Sequence, residues 1–140
     1  PISYKRMTCF WNGILNSLDK EDKYKLGLNT NNVYNLIDKL KTINCSTKNM
    51  KWQNELITES QIKENMTHIN TYNKNNAPNG YQCSTFDPFL FLLAFVLKKN
   101  INFIYCGHNV KYEPPNPKGK CLNYKCNRGH FWFNKTYFRK

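Results

Sequence analysis

The sequence has few acidic residues, only 6 glycines and no apolar run long enough to cross a membrane. Its 9 Asp and Glu residues oppose 21 Lys and Arg residues, which gives a formal net charge of +12 over 140 residues. The longest apolar run, from Phe89 to Leu97, is about half as long as a transmembrane helix requires. No apolar stretch near the first residues has the length of a signal-peptide core. These absences exclude a membrane-spanning protein and predict one globular domain over residues 1–140.

The abundant basic residues have two interpretations. The chain contains 22 asparagines, and an AT-rich genome supplies Lys and Asn codons without any selection for a binding surface. A basic chain in which 15% of the residues are aromatic is also typical of nucleic-acid-binding domains. A zinc-containing, basic nucleic-acid-binding domain is therefore the alternative function.

Three of the six cysteines lie close to a histidine in the last third of the chain. Cys106, His108, Cys121 and Cys126 follow the pattern Cys-x-His-x12-Cys-x4-Cys, and all four are residue types that bind zinc. The segment between the two pairs is rich in Pro and Gly, which predicts turns. The pattern therefore predicts a structural Zn²⁺ in a knuckle within residues 106–126. Six cysteines and sequons at Asn44, Asn65 and Asn134 leave a secreted, disulfide-stapled module as another possibility.

Apolar periodicity predicts helices in the first two thirds of the chain and strands in the last third. We expect helices at residues 9–18, 31–43 and 52–66, and a fourth helix that begins at Asp87-Pro88 and continues to Leu97. We expect residues 19–24 to be a charged segment that leads out of the first helix, and residues 68–80 to be a loop. Strands are expected at 101–105 and 131–138. The order predicts an α+β domain in which N-terminal helices pack on a small C-terminal β-sheet.

One cysteine and one histidine near opposite ends of the chain are candidates for catalysis. Cys9 would begin the first helix, where the helix dipole favours the thiolate and the unpaired N–H groups can hold an oxyanion. A cysteine nucleophile also needs an imidazole within hydrogen-bond reach. His130 begins the last predicted strand and follows Gly129, which leaves room for a substrate backbone. The pair predicts a thiol hydrolase.

The segment Thr8-Cys9-Phe10-Trp11-Asn12-Gly13-Ile14-Leu15 resembles the active-site helix of papain-like cysteine proteases. Residues 89–105 resemble the helix–strand segment of OTU-type deubiquitinases, and Gly129-His130-Phe131 resembles the catalytic-histidine strand of both groups. A compact protease with a zinc module is similar to nidovirus enzymes, especially those of arteriviruses. The resemblance implies an OTU/papain-like fold and a deubiquitinase or viral polyprotein protease.

The resemblance also implies roles for individual residues. Cys9 would be the nucleophile, His130 the acid and base, and Tyr4 an oxyanion donor. The family's orienting Asp or Asn two residues after the histidine is absent, because Trp132 stands there, and Asn134 is the expected substitute. Trp11 and Trp132 would wall a narrow cleft that selects Gly-Gly-like sequences.

Tyr105-Cys106-Gly107-His108 supplies a competing assignment, because it resembles the stretch of coronavirus papain-like proteases that carries the catalytic histidine. If His108 were catalytic, the zinc ligands would become Cys83, Cys106, Cys121 and Cys126. With either histidine, the expected partners are ubiquitin, ubiquitin-like modifiers or a viral polyprotein. The chain is expected to act as a monomer in the host cytoplasm, with no membrane partner.

Overall fold

The computed structural model describes residues 9–77, 83–127 and 130–133, and for Cys9 and residues 83–85 it describes the backbone alone. In these ranges the chain forms five α-helices, a short 3-10 helix at Lys74–Asn76 and a six-stranded mixed sheet. In chain order the elements are α1 Cys9–Ser17, α2 Lys20–Leu26, α3 Val33–Thr42, β1 Lys51–Trp52, β2 Glu55–Leu56, α4 Glu59–Thr71, α5 Cys83–Leu97, β3 Ile101–Tyr105, β4 His108–Glu113, β5 Leu122–Asn127 and β6 His130–Phe133. The predicted α+β class is confirmed. Among the described helices, none has the length and apolar character that crossing a membrane requires.

The sheet has the strand order β2-β1-β4-β3-β5-β6. Strands β3 and β5 pair in parallel, and the other neighbours pair antiparallel. Side chains alternate between the two faces of a strand, and buried apolar residues such as Phe103, Tyr124 and Phe131 lie on one face. That face packs against the helices, with α1 on β6 and α5 on β4.

The core is aromatic and continuous from α1 through α5 to the sheet. Phe10 stacks on Phe86 at 4.3 Å between ring centroids and lies 4.7 Å from Phe131. Helix α3 contributes Leu36, Ile37 and Leu40, all fully buried. Because these three recur at i, i+1 and i+4, they form the inward stripe that the sequence predicts for this helix.

The charged segment after α1 is a helix, which corrects the predicted exit at residues 19–24. Asp19 caps α2 by accepting a hydrogen bond from the Asp22 backbone N–H at 2.8 Å. The Asp22 carboxylate accepts in return from the Asp19 N–H at 3.2 Å. This reciprocal capping box starts a helix that has little apolar periodicity of its own.

Residues 51–56 form a hairpin, so the predicted helix at 52–66 is wrong in its first half. Gln53 and Asn54 form its turn with φ values of +55° and +70°, a geometry that matches the twist of paired strands. Helix α4 begins instead at Glu59, with the Thr58 side chain accepting from Gln61 N–H, and runs to Thr71 through part of the predicted loop.

Helix α5 begins at Cys83 rather than at Asp87, and Pro88 lies inside it. A proline there removes the backbone hydrogen bond to the residue four positions earlier. The flanking residues Phe86, Phe89 and Leu90 are fully buried, so their packing outweighs that loss.

Strand β3 is confirmed at 101–105, while β4 and β5 were not predicted as strands. Residues 134–138 of the predicted last strand lie outside the described residues.

Candidate active site

The helix that carries Cys9 packs directly on the strand that carries His130. Gly13 of α1 approaches so closely that a Cβ atom built on it would lie 2.9 Å from a ring carbon of Phe131 and 3.5 Å from the Trp132 Cα. Cys9 lies one helical turn before Gly13, and His130 is the first residue of β6. The two predicted catalytic residues therefore lie on the two elements of one tight helix–strand contact.

His130 and Trp132 lie on the opposite face of β6 from Phe131 and Phe133, as the two-residue period of a strand requires. The imidazole stacks on the indole, with 5.1 Å between ring centroids and 28° between planes. His130 Nδ1 is buried and has no hydrogen-bond partner among the described residues. A buried imidazole nitrogen of this kind is costly unless a partner approaches it.

Lys125 is the cross-strand neighbour of Trp132. Its Nζ lies 5.9 Å from the indole centroid, within the range of a cation–π contact. Lys125 was not among the predicted site residues, because residues 122–127 were not predicted to form a strand. The alternation of buried Leu122, Tyr124 and Cys126 with polar neighbours is the signal that could have found it.

Trp11 is a core residue, so the prediction that it walls a substrate cleft is not supported. Its side chain is 0% exposed, and its Nε1–H donates to the Tyr72 hydroxyl at 3.0 Å. Its ring lies 4.9 Å from those of Phe10 and Phe89. Burial among these rings raises the pKa of Tyr72 above its usual range. Trp132, in contrast, is only partly buried.

Three of the predicted site groups are not among the atoms that the structure describes. Tyr4 and Asn134 lie outside the described residues, and so does the side chain of Cys9. The backbone of Cys9 is described as the first residue of α1. The proposed oxyanion donor and the proposed substitute for the orienting residue therefore stay predictions.

The predicted zinc ligands are not all neighbours: Cys106 N–H donates to Cys126 O at 2.9 Å, whereas Cys121 lies apart from Cys126. Cys121 precedes β5 and Cys126 lies near its end, so about 16 Å of extended chain separates them. Cys126 is 1% exposed on the helix-facing side of the sheet, whereas Cys106 and His108 are exposed at the β3–β4 turn. No group of three or more His, Cys, Asp or Glu side chains in the described ranges is arranged to hold a metal ion. The structural Zn²⁺ over these four residues therefore stays a prediction.

The thiol of Cys121 belongs to a polar cluster instead. Asn102 Nδ2 donates to its Sγ at 3.0 Å and to Asn123 Oδ1 at 3.2 Å. Burial raises the pKa of Cys121. These hydrogen bonds give Cys121 a structural role at the start of β5.

The alternative with His108 as the base is disfavoured by the strand order. Strands β3 and β5 lie between β4 and β6, so His108 is about 14 Å, three strand spacings, from the strand on which α1 packs. Its zinc set of Cys83, Cys106, Cys121 and Cys126 also contains the separated Cys121–Cys126 pair. The Cys83 side chain lies outside the described atoms.

The features that suggested a secreted module also have structural explanations. Cys45, Cys106 and Cys121 carry free thiols. The sequon residue Asn65 is 8% exposed, and the Asn44 amide donates to Met66 O and Asn70 Oδ1, both at 2.9 Å. Of the three sequon side chains, that of Asn44 is therefore hydrogen-bonded within the fold and that of Asn65 is buried, and Asn134 lies outside the described residues.

Comparison with family models, with curated proteins and with solved structures finds no match to this chain. The local geometry of α1 and β6 and the motifs that these elements carry are therefore the basis for a proposed function.

Proposed function

We propose that the protein is a cysteine protease of the OTU/papain-like type that hydrolyses peptide or isopeptide bonds. The observation that carries the proposal is the close packing of α1 on β6 through Gly13, since these elements carry the candidate nucleophile and the candidate base. The buried Nδ1 of His130, which has no partner in the described part of the chain, gives a second reason. During the proposed reaction, His130 Nδ1 would pair with the Cys9 thiol and then with the water that attacks the thioester.

The proposed reaction has two steps. The Cys9 thiolate attacks the carbonyl carbon, and the C–N bond breaks as imidazolium His130 gives its proton to the leaving amine. A water then attacks the thioester while His130 accepts its proton, and the Cys9 thiolate leaves. Backbone N–H groups at the start of α1, together with the Tyr4 hydroxyl, would stabilise each tetrahedral oxyanion.

The proposed substrates are ubiquitin, ubiquitin-like modifiers or viral polyprotein junctions that end in Gly-Gly-like sequences. Of the two tryptophans expected to line a narrow cleft, Trp132 alone stays a candidate, because it is partly exposed beside His130. Residues without side chains fit best beside a large ring. By the same resemblance, we propose a viral enzyme that acts as a monomer in the host cytoplasm, with no step that depends on zinc.

The test is covalent labelling by ubiquitin whose C-terminus carries a thiol-reactive group. We expect a wild-type adduct that is lost in Cys9→Ala and reduced at least about 100-fold in His130→Ala. Matched controls are Cys106→Ala, which removes an exposed thiol, and His108→Ala, which removes an exposed imidazole. Both controls should label at the wild-type rate, with circular dichroism showing that each variant is folded. Labelling that survives Cys9→Ala, or that depends on His108, would overturn the assignment.

A second candidate function follows from the outer face of the sheet. Exposed Lys111 and Lys125 lie on this face with Trp132, and lysines beside an aromatic ring bind single-stranded nucleic acids. Fluorescence anisotropy with a labelled single-stranded RNA tests it. Binding that weakens steeply with salt and falls in Lys111→Glu and Lys125→Glu, with no Cys9-dependent adduct, would favour this function over the protease.

A further inference from the structure

The residue two positions after His130 is in contact with it. Trp132 stands where the proteases that these motifs resemble carry an orienting Asp or Asn, and the strand period puts it on the same face as His130. The two rings stack at 5.1 Å between centroids and 28° between planes. A side chain of different chemistry therefore touches the histidine from the position of the missing residue.

The described surroundings of His130 offer no hydrogen bond to fix the ring at Nδ1, because this buried atom has no partner among the described residues. A histidine side chain has a broad terminal torsion, and no hydrogen bond at Nδ1 from the described residues restricts it here. The indole face restricts that rotation, since the stacked arrangement is lost when the imidazole plane turns. The stack therefore limits where the ring nitrogens point.

The indole is itself held in place. Lys125 lies directly across from it on β5, with Nζ 5.9 Å from the ring centroid. The Trp132 backbone lies beneath α1, where a Cβ atom on Gly13 would be 3.5 Å from its Cα. Trp132 thus connects three groups: the helix that carries Cys9, the neighbouring strand and the imidazole.

We infer that Trp132 is a positioning residue that orients the His130 imidazole by face-to-face stacking, in the role that a carboxylate or carboxamide fills in related enzymes. The inference depends on the proposed function. Correct orientation matters because a small displacement of a proton-transfer group costs large factors in rate. Trp132 touches His130 rather than the reacting atoms, so the positioning role predicts a change in kcat, whereas a role of the same ring as a wall of the proposed cleft predicts a change in KM.

The first measurement reports the stack without any reaction. In the proton NMR spectrum of the full chain, a histidine stacked on an indole shows ring protons shifted upfield by the ring current. The spectrum of His130→Ala identifies its signals among those of the three histidines. We expect the upfield shift to be large in wild type, smaller in Trp132→Phe and absent in Trp132→Leu.

The second measurement is hydrolysis of a fluorogenic ubiquitin C-terminal amide by the same proteins. We expect kcat to fall about 10- to 100-fold in Trp132→Leu with KM changed less than about threefold, and Trp132→Phe to recover most of the rate. Trp52→Leu, which replaces a 36% exposed tryptophan in the β1–β2 hairpin, is the matched control and should change neither measurement.

The outcomes separate the two proposals. If Trp132→Leu is folded, loses the upfield shift and keeps the wild-type kcat while activity depends on Cys9, the positioning role is wrong and the protease function stands. If His130 shows no upfield shift in wild type, the positioning role is also wrong. If wild type neither hydrolyses the substrate nor forms the Cys9-dependent adduct, the proposed function is wrong, and the inference fails with it.

Discussion

Gly13 and Phe131 are in closer contact than any larger residue at position 13 would permit. A Cβ atom on Gly13 would lie 2.9 and 3.0 Å from two carbons of the Phe131 ring, and Phe131 is itself 1% exposed. The ring also lies against Phe10, Phe103 and Tyr124, so it has little room to move. The absence of a side chain at position 13 thus sets the distance between α1 and β6.

Replacing Gly13 with alanine should therefore destabilise the protein, although alanine is the better helix former. Alanine gains about 1 kcal/mol in helix propensity, whereas overpacking a filled core costs about 1–3 kcal/mol. We expect a net loss on the order of 1 kcal/mol in the free energy of unfolding, measured by urea denaturation.

The matched control is Asn16→Ala in the same helix, because Asn16 is exposed. It should stabilise the protein by a few tenths of a kcal/mol, since propensity alone changes there. A Gly13→Ala variant that is as stable as Asn16→Ala would show that α1 can move away from β6 without cost.

The parts of the fold that the sequence predicted are those with strong apolar patterns. Helices α1 and α3 and strand β3 agree with their predicted ranges within two residues. Each has its apolar residues at a period that belongs to one kind of structure. The α+β class follows from the order of these segments.

The missed elements depend on interactions that apolar patterns do not encode. Helix α2 depends on the reciprocal bonds of Asp19 and Asp22, and the β1–β2 turn uses Gln53 and Asn54 rather than glycine at positive φ. Helix α5 continues through Pro88 because tertiary packing outweighs the lost backbone bond.

The site was predictable only in part, for a related reason. The pairing of a helix at Cys9 with a strand at His130 could be expected from motif order. Ligand spacing along the chain suggested zinc, but an extended strand separates Cys121 from Cys126, and spacing alone does not reveal that. The stack on His130 required the strand register, which places Lys125 opposite Trp132.

The core position of Trp11 gives a second prediction. In Tyr72→Phe, the Trp11 indole N–H loses the hydroxyl that accepts its hydrogen bond at 3.0 Å. Because this N–H stays buried without an acceptor, we expect the free energy of unfolding to fall by about 1–3 kcal/mol. The labelling rate of Cys9 per folded molecule should change less than about threefold, because the contact lies inside the core. A large rise in KM for a ubiquitin substrate in folded Tyr72→Phe would instead support a cleft role for Trp11.

Loss of the buried Asp22 carboxylate beside Lys99 should cost far more stability than loss of the exposed Asp38 carboxylate beside Lys74. Lys99 Nζ lies 2.9 Å from both Asp22 carboxylate oxygens, and the Asp22 side chain is 1% exposed. Asp22→Ala leaves Lys99 only the exposed Asp19 carboxylate at 3.6 Å and removes the acceptor of the Asp19 N–H, so it should cost roughly 3 kcal/mol.

Asp38→Ala is the control for that substitution, since the Asp38–Lys74 pair is about half exposed at 3.1 Å. Such pairs contribute about 0–1 kcal/mol, and urea denaturation of both variants measures the difference. If Asp22→Ala and Asp38→Ala lower the free energy of unfolding by equal amounts, the buried carboxylate of Asp22 is no more important for stability than an exposed one.

The capping carboxylate of Asp19 should make stability depend on pH in the acid range. The backbone N–H of Asp22 donates to it at 2.8 Å, and Lys99 Nζ lies 3.6 Å away. The pKa of Asp19 is lowered chiefly by that backbone hydrogen bond and further by the lysine charge. A carboxyl whose pKa is lower in the folded protein stabilises it above the unfolded pKa, and that contribution is lost as pH falls through the folded value.

Asp19→Asn isolates this effect, because asparagine caps a helix as well as aspartate does but carries no charge. We expect wild type to be more stable than Asp19→Asn at pH 6, and the difference to shrink below about pH 4. It should also shrink at pH 6 when salt is raised, since the side chain is 62% exposed and its charge is screened. Urea midpoints at pH 6 and pH 3 measure it, and a difference equal at both pH values would show that the charge contributes nothing beyond the cap.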